Sequence, residues 1–100
     1  MKFRIIERQE AVDNVLQAFN WYESQKEGLG FAFLQSLDQF YDSLERNPEA
    51  YSFLQKPLRQ GKIETFPSVV VFEIQDTTVI IFKIFNTHQE PGKKIGGTKF

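Results

Sequence analysis

Thr65-Phe66-Pro67-Ser68-Val69-Val70-Val71-Phe72-Glu73-Ile74-Gln75-Asp76-Thr77-Thr78-Val79-Ile80-Ile81-Phe82-Lys83-Ile84 is the stretch whose reading decides the fold. Two runs rich in β-branched and aromatic residues flank the polar Gln75-Asp76-Thr77, which is the pattern of a β-hairpin. The even positions Val70, Phe72, Ile74, Ile80, Phe82 and Ile84 are all apolar, whereas the odd positions mix apolar residues with Glu73 and Lys83. Directly opposed residues of an antiparallel pair share one face of the sheet. A two-residue turn at Asp76-Thr77 would set Glu73 against Ile80, so an odd-length connection of about three residues is expected, keeping even opposite even. The even side chains are then the core. The odd face, with Val69, Val71, Val79, Ile81 and Phe85, is a half-apolar surface of the kind that takes a partner.

Upstream, Phe3-Arg4-Ile5-Ile6 alternates weakly and reads as a short strand. From about Gln9 to Gln25, Val12, Val15, Leu16, Phe19 and Tyr22 recur at helical spacing. Gly28 is a natural stop, and a second helix is expected from about Leu29 to Arg46, with Phe33, Leu34, Leu37, Phe40, Tyr41 and Leu44 as its apolar stripe. Asn47-Pro48 ends it, because the residue before proline is driven out of the α region. The short Gly-containing connection makes the two helices an antiparallel hairpin. Glu49 to Pro57 reads as irregular, with Tyr51, Phe53 and Leu54 tucked beneath the helices, and Leu58 to Glu64 as a strand. From Asn86 onward the chain turns polar and reads as loosely ordered. The expected architecture is α+β: an N-terminal strand and a helix hairpin packed on one face of a mostly antiparallel sheet of about four strands. One domain over residues 1–92 and a flexible tail over 93–100 complete the expected organisation.

The chain has 100 residues, 41% hydrophobic and 25% charged, with eleven Phe to fill a core. It has no Cys, which excludes a disulfide framework, a cysteine-based zinc site and a thiol nucleophile. No stretch approaches the ~20 apolar residues of a membrane span, and no signal-peptide pattern opens the chain, so a cytoplasmic location is expected. The net charge of −1 is uneven: residues 1–50 hold nine acids against five Lys/Arg, and residues 51–100 four acids against seven. That is far from the strongly basic balance of a dedicated nucleic-acid binder. No cofactor is indicated, since Gly96-Gly97 lacks the following helix that a phosphate loop needs.

Trp21-Tyr22-Glu23, Gly28-Leu29-Gly30, Phe33-Leu34, Leu37, Asn47-Pro48, Arg59, Phe66-Pro67, the apolar hairpin, Phe85 and Glu90-Pro91 occur in that order. Together they resemble the RelE/ParE superfamily of type II toxin–antitoxin toxins, the plasmid stabilisation proteins, over nearly the whole chain. The resemblance implies a toxin bound and neutralised by a cognate antitoxin. Its ParE-like branch binds DNA gyrase, and its RelE-like branch cleaves mRNA in the ribosome. A member of the fold that has lost toxicity and only binds a partner is a third reading.

Cleavage of RNA requires an activated 2′-hydroxyl, a stabilised phosphate and a protonated leaving group. Arg59, Lys62, Lys83 and His88 are the residues available for those roles. Where relatives carry basic residues before Phe-Pro, this chain has Glu64 and Thr65, and where they carry Arg near the end it has Gln89. The binding type of toxin is therefore the leading expectation, with the odd hairpin face or adjoining sheet edge taking the antitoxin or, in a homodimer, a second copy of the chain. His88 is the only His, too few for a zinc site by itself.

Overall fold

The computed structural model describes residues 2–87. The elements run β1 (Arg4–Glu7), α1 (Gln9–Gln25), α2 (Leu29–Arg46), a 3₁₀ turn (Pro48–Ala50), β2 (Phe53–Gln55), β3 (Leu58–Lys62), β4 (Ser68–Gln75) and β5 (Thr78–Asn86). They form a five-stranded sheet in the order β1-β5-β4-β3-β2, with β1 parallel to β5 and the other pairs antiparallel. The helix hairpin covers one face. The α+β class is as expected; the fifth strand is β2, in a segment that reads as irregular because it is only three residues long. The expected tail over 93–100 and the domain limit at 92 lie outside the described residues.

The hairpin departs from the simple parity pattern. Its turn has two residues, Asp76 and Thr77, and Asp76 takes a φ of 55°, which Asp tolerates better than most side chains. Gln75 faces Thr78, Ile74 faces Val79, and Phe72 faces Ile81; the register then shifts, and Val71 faces Lys83 while Val70 faces Ile84. Phe82 is the extra residue of a β-bulge. The bulge reverses the parity of β5, so Val79 and Ile81 point to the helices near the turn and Ile84 and Asn86 do so beyond it. Asn14 of α1 supports the irregular segment: its Oδ1 accepts a hydrogen bond from the Ile84 amide at 2.9 Å. Glu73 does lie opposite Ile80, but on the face away from the helices, where its charge stays near solvent.

The core is correspondingly Val70, Phe72, Val79, Ile81 and Ile84 from the sheet, under Phe33, Leu37, Phe40 and Leu44 from α2. Ile74 is only half-buried, as are Ile80 and Phe82, the two residues that the two-residue turn removes from the expected core face. Helix α1 turns Ala11, Ala18 and Tyr22 inward, with Val15 at the margin. The large residues suggested a different phase: Leu16 is 56% exposed and Phe19 half-buried. Small side chains at Ala11 and Ala18 let the helix approach the sheet closely, and the larger ones are left outside. Phe53 and Leu54 are likewise exposed, not tucked under the helices, while Tyr51 packs against Phe40 and Phe72. Asn86 belongs to β5 and is buried, donating through Nδ2 to the Tyr22 hydroxyl at 2.7 Å.

The helix hairpin is fastened by the Trp21-Tyr22-Glu23 and Gly28-Leu29-Gly30 motifs. The Glu23 carboxylate accepts from the Gly28 and Gly30 amides, both at 2.8 Å, at the N-terminus of α2, where unpaired amides and the helix dipole favour an anion. Gly28 has a φ of +88°, the left-handed region that glycine enters without a steric cost. A Cβ on Gly30 would lie 2.7 Å from the Phe19 carbonyl oxygen, so glycine sets the distance between the helices. Glu23→Ala is expected to lower stability by about 1–2 kcal/mol, the usual cost of a lost cap. Urea unfolding followed by circular dichroism checks it; an unchanged midpoint would remove the cap from the account.

Candidate functional site

Three surfaces are candidates: a groove beside the helices, the open face of the sheet, and the corner formed by β2 and β3.

The groove lies between β1, α1 and α2 and has a volume of about 680 Å³. Ile5, Val15, Leu34 and Leu37 supply its apolar lining, and Glu7, Asp38 and Tyr41 its polar one. The Tyr41 hydroxyl donates to Glu7 Oε2 at 2.7 Å, tying α2 to the edge strand. The Phe3 amide donates to the Glu45 carbonyl at 2.9 Å and fixes the other end of β1. Burial, then the hydrogen bond to and negative charge of Glu7, push the Tyr41 ionisation well above its ordinary value of 10.0. Burial raises Tyr22 as well, against the opposing hydrogen bonds of Ser68 and Asn86.

Those shifts predict an alkaline limit. A tyrosine whose folded pKa is raised keeps its proton in the native state after the unfolded chain has lost it. Its contribution is fully present below the ordinary value of 10.0 and is lost as pH rises beyond it. Thermal melts should therefore fall steeply above about pH 10, and more shallowly in Tyr41→Phe. Parallel pH profiles for the two proteins would contradict the assignment.

The open face of the sheet carries Val69, Val71 and Phe85 from the expected partner patch. Val69 and Phe85 are half-buried neighbours, and Val71 is only 1% exposed among the side chains around it. Val79 and Ile81 are not on this face. Both are completely buried under the helices, because the two-residue turn sets the odd positions inward until the bulge. An exposed five-residue patch therefore does not form. Basic groups sit over the aromatic rings here: the Arg8 guanidinium lies 5.0 Å from the Phe82 centroid, and Lys83 Nζ lies 5.9 Å from that of Phe85.

The candidate catalytic cations are divided. The register places Lys62 opposite Val69 and Lys83 opposite Val71, on the open face, where both lysines are exposed. Arg59 pairs with the core residue Phe72 and is turned to the other side. Its Nη1 donates to the Tyr51 carbonyl at 2.6 Å and the Glu49 carbonyl at 3.4 Å, and its guanidinium stacks 4.0 Å from the Phe53 centroid. Arg59 thus holds the segment that leads into β2. His88 lies outside the described residues. Among the described residues no group of three or more His, Cys, Asp or Glu is placed to hold a metal ion, and no helix is long and apolar enough to cross a membrane.

Sequence reasoning missed the groove. Its signal was present in α1, which carries an alanine-containing stripe through Ala11 and Ala18 beside a larger stripe through Val12, Leu16 and Phe19. Assigning the larger residues to the core hid the exposed surface.

With this geometry in view, comparison with known proteins gives one kind of answer. No protein-family model and no curated protein matches the sequence. Solved structures do match the fold. A chain of the chromosomal ParDE TA system from P. aeruginosa superposes with a TM-score of 0.74 at 11% identity, over 85% of this chain and 96% of that one. A chain of the E. coli DinJ-YafQ toxin-antitoxin complex gives 0.61 at 13% identity, over 88% and 96%. A chain of the archaeal RelE-RelB complex from Pyrococcus horikoshii OT3 gives 0.56 at 14% identity, over 89% and 99%. The fold is therefore of the RelE/ParE type, spanning nearly the full length of each of these chains.

Proposed function

We propose that this chain is the toxin component of a type II toxin–antitoxin pair, bound and neutralised by a cognate antitoxin, and that it acts on its target by binding. The full-length likeness of fold to chains from three toxin–antitoxin structures supports the toxin role. The observation that favours binding over RNA cleavage is the position of Arg59. Its guanidinium is committed to the Tyr51 and Glu49 carbonyls and the Phe53 ring, apart from the face that carries Lys62 and Lys83. Among the described residues, the two exposed lysines do not supply the set of oriented donors and proton-transfer groups that phosphodiester cleavage requires. On the ParE-like reading the target is DNA gyrase, the protein works in the cytoplasm, and its biological effect is stabilisation of the replicon that encodes it.

Induction of this chain in a bacterial host is the test. Growth should arrest when it is expressed alone and recover when the product of the adjacent open reading frame is co-expressed. Gyrase supercoiling should be blocked by the purified chain while mRNA stays intact. Growth unaffected by either arrangement would contradict the toxin role and leave a partner-binding module of the same fold.

A further inference from the structure

We propose that the groove between β1, α1 and α2 receives the β2–β3 corner of a second copy of this chain, so that the free protein associates head to tail. The association does not depend on the toxin reading above. The large apolar side chains left in water point to it. Besides Ile6 on β1, those of the described residues fall into two groups: Val12, Leu16, Trp21 and Phe31 on the helix hairpin, and Phe53 and Leu54 on β2. Phe31 is 63% exposed and Leu54 50%. Side chains of this size, grouped and exposed, mark surfaces that take a partner.

The two groups sit among opposite charges. Residues 9–46, which hold the helix group, contain seven acids against two bases. The groove beside them is lined by Glu7 and Asp38, with no Lys or Arg. Lys2, at the foot of β1, is already paired with Glu45 at 3.5 Å. Residues 53–62 hold Lys56, Arg59 and Lys62 and no acid. Two of these bases frame the apolar centre of the corner: the Arg59 guanidinium lies 4.0 Å and Lys56 Nζ 5.1 Å from the Phe53 centroid. Arg59 keeps its positive charge while its Nη1 serves the Tyr51 and Glu49 carbonyls. The corner is thus an apolar knob beside cations, and the groove an apolar trough beside carboxylates. At about 680 Å³ the trough has room for the Phe53 and Leu54 side chains. Knob and trough attract each other, whereas two knobs or two troughs bring like charges together.

The sheet keeps the two surfaces apart within one molecule. In the order β1-β5-β4-β3-β2 the groove opens beside one edge strand and the corner is built on the other. Four inter-strand steps separate these edges, roughly 19 Å. The corner therefore meets the groove of another copy, not its own. Such a contact is heterologous: every copy offers a groove at one edge and a corner at the other, so the assembly grows instead of stopping at two. Pairing of two β2 edges fits less well. The strand has three residues, carries a register shift and is followed by Lys56-Pro57, all features that blunt strand addition. One knob in one trough is a small interface, which places the association in the weak, transient class. While it lasts, it closes the groove to other partners.

Sedimentation velocity of the purified full chain over a wide range of concentration is the test. The sedimentation coefficient of wild type should rise with concentration and pass that of a dimer, and added salt should lower it. Asp38→Lys, Lys56→Glu and Leu54→Ser should each weaken self-association by about tenfold or more. Lys83→Glu, the same charge change placed on the open face, should leave it unchanged. An equimolar mixture of Asp38→Lys and Lys56→Glu should associate again, because the first retains a native corner and the second a native groove. Circular dichroism confirms that these exposed-site variants stay folded. A wild type that remains monomeric, a dimer that grows no further, charge variants that associate like wild type, or a mixture that stays apart would each overturn the head-to-tail contact.

Discussion

Ile81→Lys is expected to abolish folding. Ile81 is completely buried at the middle of β5, between Glu7 of β1 and Phe72 of β4 in the register and under the helix hairpin. A lysine there either strips its ammonium of water or loses its proton, and either route costs several kcal/mol beyond the lost apolar packing. Against a total stability of about 5–15 kcal/mol for a domain, the native state does not survive that loss. Far-ultraviolet circular dichroism should show an unfolded chain, or protein found only in aggregates. Ile80→Lys is the informative control. Ile80 is half-buried on the open face, directly opposite Glu73, where a lysine gains a cross-strand partner of opposite charge. It should fold with a stability close to wild type. If Ile81→Lys folded and Ile80→Lys did not, the turn would have three residues after all and the bulge would be wrong.

Phe72→Ala should cost about 3–5 kcal/mol, the usual range for removing a fully buried aromatic side chain. Phe72 is 0% exposed in the central strand and meets the Tyr51 ring edge-on at 5.9 Å. For a domain of this size that lowers the melting temperature by on the order of 20 °C. Phe82→Ala should cost markedly less, because Phe82 is the extra residue of the bulge and packs beneath the Arg8 guanidinium at a half-exposed position. Sequence parity alone makes the two substitutions equivalent. Comparing their denaturation midpoints therefore tests the register set by the two-residue turn, and equal losses would contradict it.

The approximate extents of both helices were legible, since Gly28, Asn47 and Pro48 punctuate them and the apolar spacing between is helical. The hairpin was legible as a pair of strands but not in its register. A β-bulge leaves no mark in a run such as Val79-Ile80-Ile81-Phe82-Lys83-Ile84, where nearly every residue is apolar and either face accepts it. Beyond the bulge, the Asn14 side-chain Oδ1 on α1 accepts from the Ile84 amide, a contact 70 residues apart in sequence that no local pattern reveals. The phase of α1 was misread for a related reason: alanines look neutral in a hydrophobic pattern, yet close packing against a sheet selects them. Of the candidate site, the sequence supplied residue types and not their company. Arg59 in a strand looks the same whether it faces a substrate or, as here, the carbonyls of Tyr51 and Glu49.

The most direct test of binding against cleavage is translation of a defined mRNA on purified ribosomes in the presence of this protein, with any breaks mapped by primer extension. The division of Arg59 from Lys62 and Lys83 predicts full-length mRNA at protein concentrations that arrest growth. Robust cleavage in the ribosomal A site, abolished by Lys83→Ala in a protein that remains folded, would contradict it and place the catalytic centre on the open face of the sheet.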